Sequence, residues 1–358
     1  MGCWGGPPLP GPMLKLVRLA LAAALAAVAL VAAGPAEAAY TSVRIGVANA
    51  SKQLGGAGPL RLTLSQAAGD EATARVVVYV PRRYRVSLAA RAGRALGSGS
   101  ITTNDGGGRT TVSGALRAVD PAPFRQAALM CTGQTRLDAV YRFDTGGRGL
   151  DLNVYVRTIA SGAEAAYASA ALAVCYASPT SPRLEGPRPP LVLRFSLTLR
   201  GVLANPSARG AYRWRSLWTP YAADGKHNES GLVEAQALDL LPAQLSLVTG
   251  RYDRRARRLF VGGTLLENRR PGPGASVQLL AGRSARVARL ALARTNANGN
   301  YGGRLTLRAG TWYLRSRATV RARTLGGCTV QTIPGVRCLR TTTAGYTLAS
   351  RLVRVQVR

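Results

Sequence analysis

The chain has 358 residues, with 48 Lys and Arg against 16 Asp and Glu, a formal net charge of +32 at pH 7, and one histidine. A single histidine excludes every metal site that needs two or more His ligands, including the catalytic zinc sites of that type. The length predicts about two domains of ordinary size, each able to bury its own core.

The N-terminal segment has the pattern of a secretory signal peptide. Lys15 and Arg18 precede an Ala/Leu/Val core over 19–33, and Ala36-Glu37-Ala38 has the small-x-small form of a signal-peptidase site. As a helix the core would be roughly 22 Å long, less than the ~30 Å hydrocarbon thickness of a bilayer, which favours a cleaved signal over an anchor. We therefore expect residues 1–39 to be removed and the product to be secreted, either extracellular or associated with the cell surface.

Short strand patterns follow one another over residues 40–241 and predict a larger N-terminal β-sandwich. Residues 161–173 are rich enough in Ala to be helical by propensity, but their neighbours are strands, so we predict a strand there. The Pro-rich stretch 178–190 is interpreted as a long loop, because Leu191–Arg200 resumes at once as an alternating, half-buried strand. We place the domain boundary at Leu241-Pro242, and we find no resemblance of the region before it to a named family.

Turn chemistry and strand patterns agree best in the region after this boundary. Phe260–Leu266 reads as a strand, a Pro-Gly loop follows it, and Ala275–Leu280 alternates with the period of two that a half-buried strand requires. Asn298-Gly299 is the preferred dipeptide of a tight hairpin turn. Residues 242–358 are therefore expected to form a second, smaller β-structure.

The order of these elements resembles the carboxypeptidase regulatory-like domain. The resemblance is carried by Pro273–Leu279, by Thr295 with Gly299 and Tyr301, and by Gly310–Tyr313. It covers the last third of the chain. It implies a small prealbumin-like β-sandwich of about seven strands over 242–358, a module without catalytic residues of its own.

The cysteines predict two disulfides. Cys3 would leave with the signal, and the remaining even number, Cys131, Cys175, Cys328 and Cys338, is typical of disulfides in an exported protein. Three pairings are possible, and proximity in sequence favours Cys131 with Cys175 and Cys328 with Cys338. The alternative, one zinc ion held by four thiolates, lacks any C-x-x-C spacing. We expect no metal and no cofactor.

A dense aromatic segment is the candidate ligand-binding site. It contains Tyr212, Trp214, Trp218 and Tyr221. Aromatic rings of this kind could stack on a carbohydrate, but on a strand these positions need a bulge to share one face. The competing interpretation is a core strand that leads into a proline turn.

No catalytic centre is predicted. His227 with Asp224 lies in a polar stretch that reads as a solvated loop and lacks a nucleophile elbow. A glycosidase needs only two carboxylates, but the acids are scattered and none belongs to a motif. Those considered are Asp138, Asp144, Asp151, Glu164, Glu185, Glu229, Glu234 and Asp239.

The charge suggests a partner. Lys occurs only at positions 15, 52 and 226, so the excess is almost all Arg. No groove-reading helix or RNA-binding aromatic motif is present, so no specific nucleic acid is expected. Codon usage that favours Arg is the other explanation of the excess.

We hypothesise a non-enzymatic structural or adhesive cell-envelope protein that binds anionic cell-wall polymers or lipid head groups electrostatically. The alternative is a carbohydrate-binding protein or weak glycan-acting enzyme that uses the aromatic segment.

Overall fold

The computed structural model describes most of the chain after the predicted signal. The described residues are 40–88, 90–104, 108–147, 151–176, 191–222, 225–328, 333 and 335–358. The predicted signal segment 1–39 and the Pro-rich stretch 178–190 lie outside them.

The described residues contain twenty-five strands and one α-helix, which confirms the predicted all-β class. The strands are β1 (Arg44–Asn49), β2 (Leu60–Ser65), β3 (Thr73–Pro81), β4 (Arg85–Val86), β5 (Ala95–Asn104), β6 (Arg109–Val119), β7 (Ala139–Asp144), β8 (Leu152–Thr158), β9 (Ala168–Cys175), β10 (Leu191–Leu199), β11 (Leu203–Ala204), β12 (Gly210–Pro220), β13 (Val233–Leu241), β14 (Ala243–Leu245), β15 (Val248–Asp253), β16 (Arg258–Glu267), β17 (Arg270–Pro271), β18 (Ser276–Gly282), β19 (Ala288–Arg294), β20 (Asn300–Thr306), β21 (Gly310–Val320), β22 (Thr324–Gly326), β23 (Arg337–Thr343), β24 (Tyr346–Ala349) and β25 (Val353–Val357). The helix is α1 (Arg125–Thr132).

Thirteen strands form the larger sheet, in the order β1-β2-β10-β5-β6-β7-β8-β9-β3-β12-β13-β23-β22. The sheet curls so that its first strand meets its far end: the Thr342 hydroxyl on β23 donates to the Ile45 carbonyl on β1 at 2.9 Å, and Gly345 N donates to the Val47 carbonyl at 2.8 Å. Two short strands, β4 and β11, pair beside it. The larger part is thereby a sandwich whose core lies between facing regions of one sheet.

The strand predicted at Leu191–Arg200 is present as β10. Leu193, Phe195, Leu197 and Leu199 are buried, as the alternation predicts. Part of the Ala-rich segment is also a strand, since β9 covers its end, while Ala163–Ala166 before it forms a 3₁₀ turn. β9 lies between β8 and β3 in the sheet. This central position overrides the helix propensity of its alanines.

The helix α1 is an element that the strand patterns do not predict. Asp120 accepts a hydrogen bond from Ala122 N at 3.0 Å just before it, and Gly133 ends it in the left-handed conformation with φ of 67°. The disulfide from Cys131 to Cys175, with Cα atoms 5.8 Å apart, joins the helix to β9 as the predicted pairing requires. The helix therefore covers one face of the larger sheet.

The smaller sandwich has two five-stranded sheets. One contains β14, β15, β16, β17 and β20, and the other contains β18, β19, β21, β24 and β25. Seven of these ten strands are five residues or longer, in keeping with the seven expected. Their facing side chains form one core, including Val261, Leu265, Val277, Leu279 and Leu314.

The predicted turn at Asn298-Gly299 is present, but it does not close a hairpin. Asn296 N donates to the Asn300 carbonyl at 2.9 Å, and Gly299 adopts φ of 73°. The flanking strands belong to different sheets, because β19 pairs with β18 and β20 pairs with β16. The hairpin prediction was wrong, since a tight turn can also carry the chain from one sheet of a sandwich to the other.

The chain returns to the larger sheet after β21. β23 pairs in parallel with β13, β22 lies beyond it, and the Cys328–Cys338 disulfide, with Cα atoms 5.7 Å apart, lies at β23. The larger sheet thus contains strands from both sides of Leu241-Pro242.

Candidate functional site

The aromatic segment does not form an exposed platform. Trp214 is 0 % and Trp218 is 2 % exposed, and Tyr212 is also buried. The Trp214 ring packs edge-on against Tyr84 at 5.1 Å, and Tyr221 is half-buried with its hydroxyl donating to the Tyr176 carbonyl at 2.6 Å. Burial of the first three side chains removes the exposed platform on which the carbohydrate interpretation depends.

The position of β12 explains this burial. β12 pairs with β3 on one side and β13 on the other, and its second half is buried at consecutive positions from Trp214 to Pro220. A strand that is covered on both faces reads as a continuous apolar run. In this sequence, however, Arg215, Ser216 and Thr219 interrupt the apolar residues, so the run does not signal a strand covered on both faces.

The acids considered for catalysis mostly serve local structure. Asp138, Asp151, Glu164 and Glu229 each pair with an arginine. Asp144 accepts from Gly146 N at 2.8 Å. Glu234 and Asp239 are buried, and Glu185 lies outside the described residues.

His227 lies in a short loop beside Tyr221, with ring centroids 6.1 Å apart. Burial, with the positive charge of Arg75 nearby, lowers the pKa of His227 below its ordinary value. Ser230 donates to the Asn228 side chain rather than to this histidine, and Asp224 lies outside the described residues. In the described residues, no group of three or more His, Cys, Asp or Glu side chains is arranged to hold a metal ion.

A cavity of about 120 Å³ lies between α1 and the larger sheet. Its floor includes Val77, Ala171 and Leu217, and its rim includes Arg157 and Glu164. Glu164 is the only carboxylate among the described lining residues, and it is held by Arg157 at 2.6 Å and by the Tyr79 hydroxyl at 2.6 Å. The cavity therefore lacks the carboxylate pair that glycoside hydrolysis requires.

One sheet of the smaller sandwich, formed by β18, β19, β21, β24 and β25, carries a positively charged surface that we call the arginine face. Strand register places its members on one side of β18, β19, β21 and β25, opposite the core side chains. The arginine face consists of Arg289, Arg294, Arg315, Arg317 and Arg354.

Leu280 shows how the arginine face is built. It is the register partner of Arg289 on one side and Arg315 on the other, and it is only 6 % exposed although it faces outward. Long arginine stems can cover apolar surface while the guanidinium groups stay in water. The register therefore places the stems of the two flanking arginines where they can cover Leu280.

The charge of the arginine face is not neutralised within the sheet. No Asp or Glu follows Glu267, whereas seventeen arginines do. Among the described residues, none of the ion pairs involves a member of the arginine face. Whole-chain charge alone does not reveal this surface, but a segment-by-segment count of acids would have done so.

A buried polar cluster lies where the larger sheet meets β24. Lys52 forms an ion pair with Asp239, and the Lys52 ammonium lies 4.5 Å from the centroid of the Tyr346 ring. Tyr84 donates to Asp239 Oδ2 at 2.7 Å, and Asn49 Nδ2 donates to the same oxygen at 3.2 Å. Burial, with the carboxylate of Asp239 nearby, raises the pKa of Tyr84, so its hydroxyl keeps its proton.

Comparison with known proteins yields no family. No family model and no curated protein matches the chain. The resemblance of the last third to the carboxypeptidase regulatory-like domain therefore stays a prediction. In the described residues, no helix has the length and apolarity needed to span a bilayer.

Solved structures show only a faint likeness. The D0-D1 domain of intimin is 10% identical with a TM-score of 0.21, covering 88% of this chain and 99% of that chain. A tetra-tandem repeat in the extending region of a large adhesion protein is 11% identical with a TM-score of 0.23, covering 88% and 100%. The group B streptococcus pilus 2b backbone protein is 11% identical with a TM-score of 0.22, covering 86% and 98%. Similarity at this level defines no function for the chain.

Proposed function

We propose that the protein is a secreted, non-enzymatic structural or adhesive component of the cell envelope. It binds anionic cell-wall polymers or lipid head groups through the arginine face. The observation that supports this function is a sheet surface that carries five arginines and no carboxylate in its strands. The predicted signal peptide and the two disulfides agree with an oxidising, extracytoplasmic location.

The spacing of the arginine face suits a charged polymer. Alternate residues of a strand are about 7 Å apart, and next-nearest strands are about 10 Å apart. These distances are close to the Debye length of about 8 Å at physiological ionic strength, so neighbouring guanidinium groups act together on one polyanion. A guanidinium also pairs with phosphate or carboxylate through two parallel hydrogen bonds.

The test replaces Arg289, Arg315, Arg317 and Arg354 by Gln together. We expect this variant to lose most of its binding to immobilised polyphosphate and to vesicles containing phosphatidylglycerol at about 0.15 M salt. The two probes distinguish polymer from lipid as the source of the anion. About 1 M salt, where the Debye length is roughly 3 Å, should release the wild-type protein from both.

A matched control changes the net charge equally on the larger sandwich. Arg61, Arg109, Arg117 and Arg194 are exposed there, and their combined replacement by Gln should leave most of the binding intact. Equal loss in both variants would show that binding follows net charge and not the arginine face. Unchanged binding in both would contradict the proposed function.

A further inference from the structure

Lys52 and Asp239 form a fully buried pair of complementary reactive groups. Their side chains are 1% and 0% exposed. A desolvated ammonium and carboxylate are costly as separate charges, and transfer of one proton along their contact gives a neutral amine and a carboxylic acid. These two species are the reactants of an amide condensation.

The choice of lysine at this position is informative. Almost every basic residue of the chain is Arg, and Lys52 is one of three lysines. Arg215 shows that this protein can bury an arginine, since Arg215 is 3 % exposed beside Glu234 in the same sheet. A guanidinium stays protonated, whereas a buried lysine can become a neutral nucleophile. An ion pair alone would not require lysine here.

The backbone around Lys52 is fixed on both sides. Asn205 Nδ2 donates to the Ser51 carbonyl at 2.8 Å and to the Gln53 carbonyl at 2.9 Å. The Lys52 carbonyl itself accepts from Ala243 N at 3.1 Å. Holding two reacting groups in this way replaces a bimolecular encounter by an intramolecular one.

The two carboxylate oxygens of Asp239 have different surroundings. Oδ1 faces Lys52 Nζ, whereas Oδ2 accepts from Tyr84 and Asn49. Two fixed donors on one oxygen are the arrangement that stabilises the oxyanion of a tetrahedral adduct. The cluster therefore contains a nucleophile, an electrophilic carbon and donors for the charge that develops.

We infer that Lys52 and Asp239 are a site of self-catalysed covalent modification, at which an amide bond joins Lys52 Nζ to Asp239 Cγ with release of one water. The ammonium passes one proton to Oδ1, and the amine lone pair attacks Cγ. Oδ2 holds the negative charge of the adduct against Tyr84 and Asn49. A second proton then moves from Nζ to Oδ1, which leaves as water, and the carbonyl re-forms on Oδ2.

The bond would fasten the segment after β1 to β13. The residues are 187 positions apart in the chain, so the linkage would close most of the larger sandwich into one covalent loop. Such a loop resists mechanical unfolding in a way that neither disulfide provides, because each disulfide spans a much shorter segment. This property is independent of polyanion binding.

Mass spectrometry of the folded, full-length secreted chain tests the inference. After disulfide reduction and denaturation we expect a mass lower than the sequence mass by one water, and a proteolytic digest should contain one branched peptide with Lys52 and Asp239. Lys226→Arg changes the other lysine of the described chain and should keep the water loss. Lys52→Arg should restore the full mass.

A second variant guards against failure of Lys52→Arg to fold. Tyr84→Phe removes one donor to Oδ2, and we expect condensation to slow by about a hundredfold, seen as full-mass chain soon after synthesis that converts with time. Folded wild-type protein with the full sequence mass overturns the inference. A water loss that maps to a peptide without both residues overturns it equally.

Discussion

Val233 on β13 and Arg337 on β23 are register partners in a parallel strand pair. Through this pair, a segment that lies between β21 and β24 of the smaller sandwich in the chain joins the larger sheet. Thr342 lies further along β23 and is buried, and its hydroxyl reaches β1 as well as β13. β23 therefore connects β1 and β13, two strands that are far apart in sequence.

Thr342→Val should destabilise the larger sandwich. The substitution keeps the side-chain shape but removes the donor to the Ile45 carbonyl, and a lost hydrogen bond of this kind costs about 1 kcal/mol. The free energy of unfolding, measured by urea denaturation, is the readout. Thr347→Val, at an exposed position of β24, is the control and should change it by less than about 0.5 kcal/mol. Equal effects of the two variants would contradict the role given to Thr342.

The two disulfides should differ in their contribution to stability. The Cys131–Cys175 bridge spans 44 residues, and the Cys328–Cys338 bridge spans 10. In the loop-entropy model, replacing both cysteines by Ala should cost about 4 kcal/mol for the first pair and about 3 kcal/mol for the second. Thermal unfolding of each double variant measures this order, and a reversed order would mean that loop length does not govern the effect.

Trp214→Ala should strongly destabilise or unfold the protein, because Trp214 is a core residue and not a ligand-binding one. Removing a fully buried tryptophan costs about 3–5 kcal/mol. In a Trp312→Phe background, which removes the partly exposed tryptophan of β21, soluble oligosaccharides should leave the tryptophan fluorescence unchanged, because Trp214 and Trp218 are inaccessible. A saturable fluorescence change on adding an oligosaccharide would restore the carbohydrate interpretation.

The all-β class and several individual strands could be predicted because strand alternation is a local property. Leu193 to Leu199 alternate in sequence, and the structure buries the same positions. The return of β23 to the larger sheet could not be predicted, because the sequence of Arg337–Thr343 does not indicate which strand β23 will pair with. Pairing depends on the packing of the whole sheet.

The candidate sites show the same limit. The Cys131–Cys175 pairing followed from counting and proximity, which need no three-dimensional information. The aromatic segment misled because composition does not reveal that β12 is covered on both faces. Lys52 and Asp239 are far apart in sequence and belong to no motif, so only the fold brings them into contact.

The pH dependence of stability should depend in part on Asp138. Its Oδ2 accepts from Thr158 N at 2.6 Å and from the Thr158 hydroxyl at 2.7 Å, and its Oδ1 accepts from Arg136 Nε at 3.2 Å. Burial alone would raise the pKa of this carboxyl, but these hydrogen bonds and the arginine charge outweigh it and hold the pKa below the ordinary value.

Because the folded-state pKa of Asp138 lies below its unfolded value of about 3.9, the unfolded chain takes up the proton first as the pH falls. The stabilisation from Asp138 is therefore present above about pH 3.9 and is lost as the pH falls through the lower folded-state pKa. Asp138→Asn should be less stable than the wild type at neutral pH and lose less stability on acidification. Thr158→Val, which removes one donor and keeps the carboxylate, should show an intermediate slope. Urea unfolding between about pH 6 and pH 2.5 measures these slopes, and an Asp138→Asn slope equal to that of the wild type would show that this carboxyl contributes nothing to acid sensitivity.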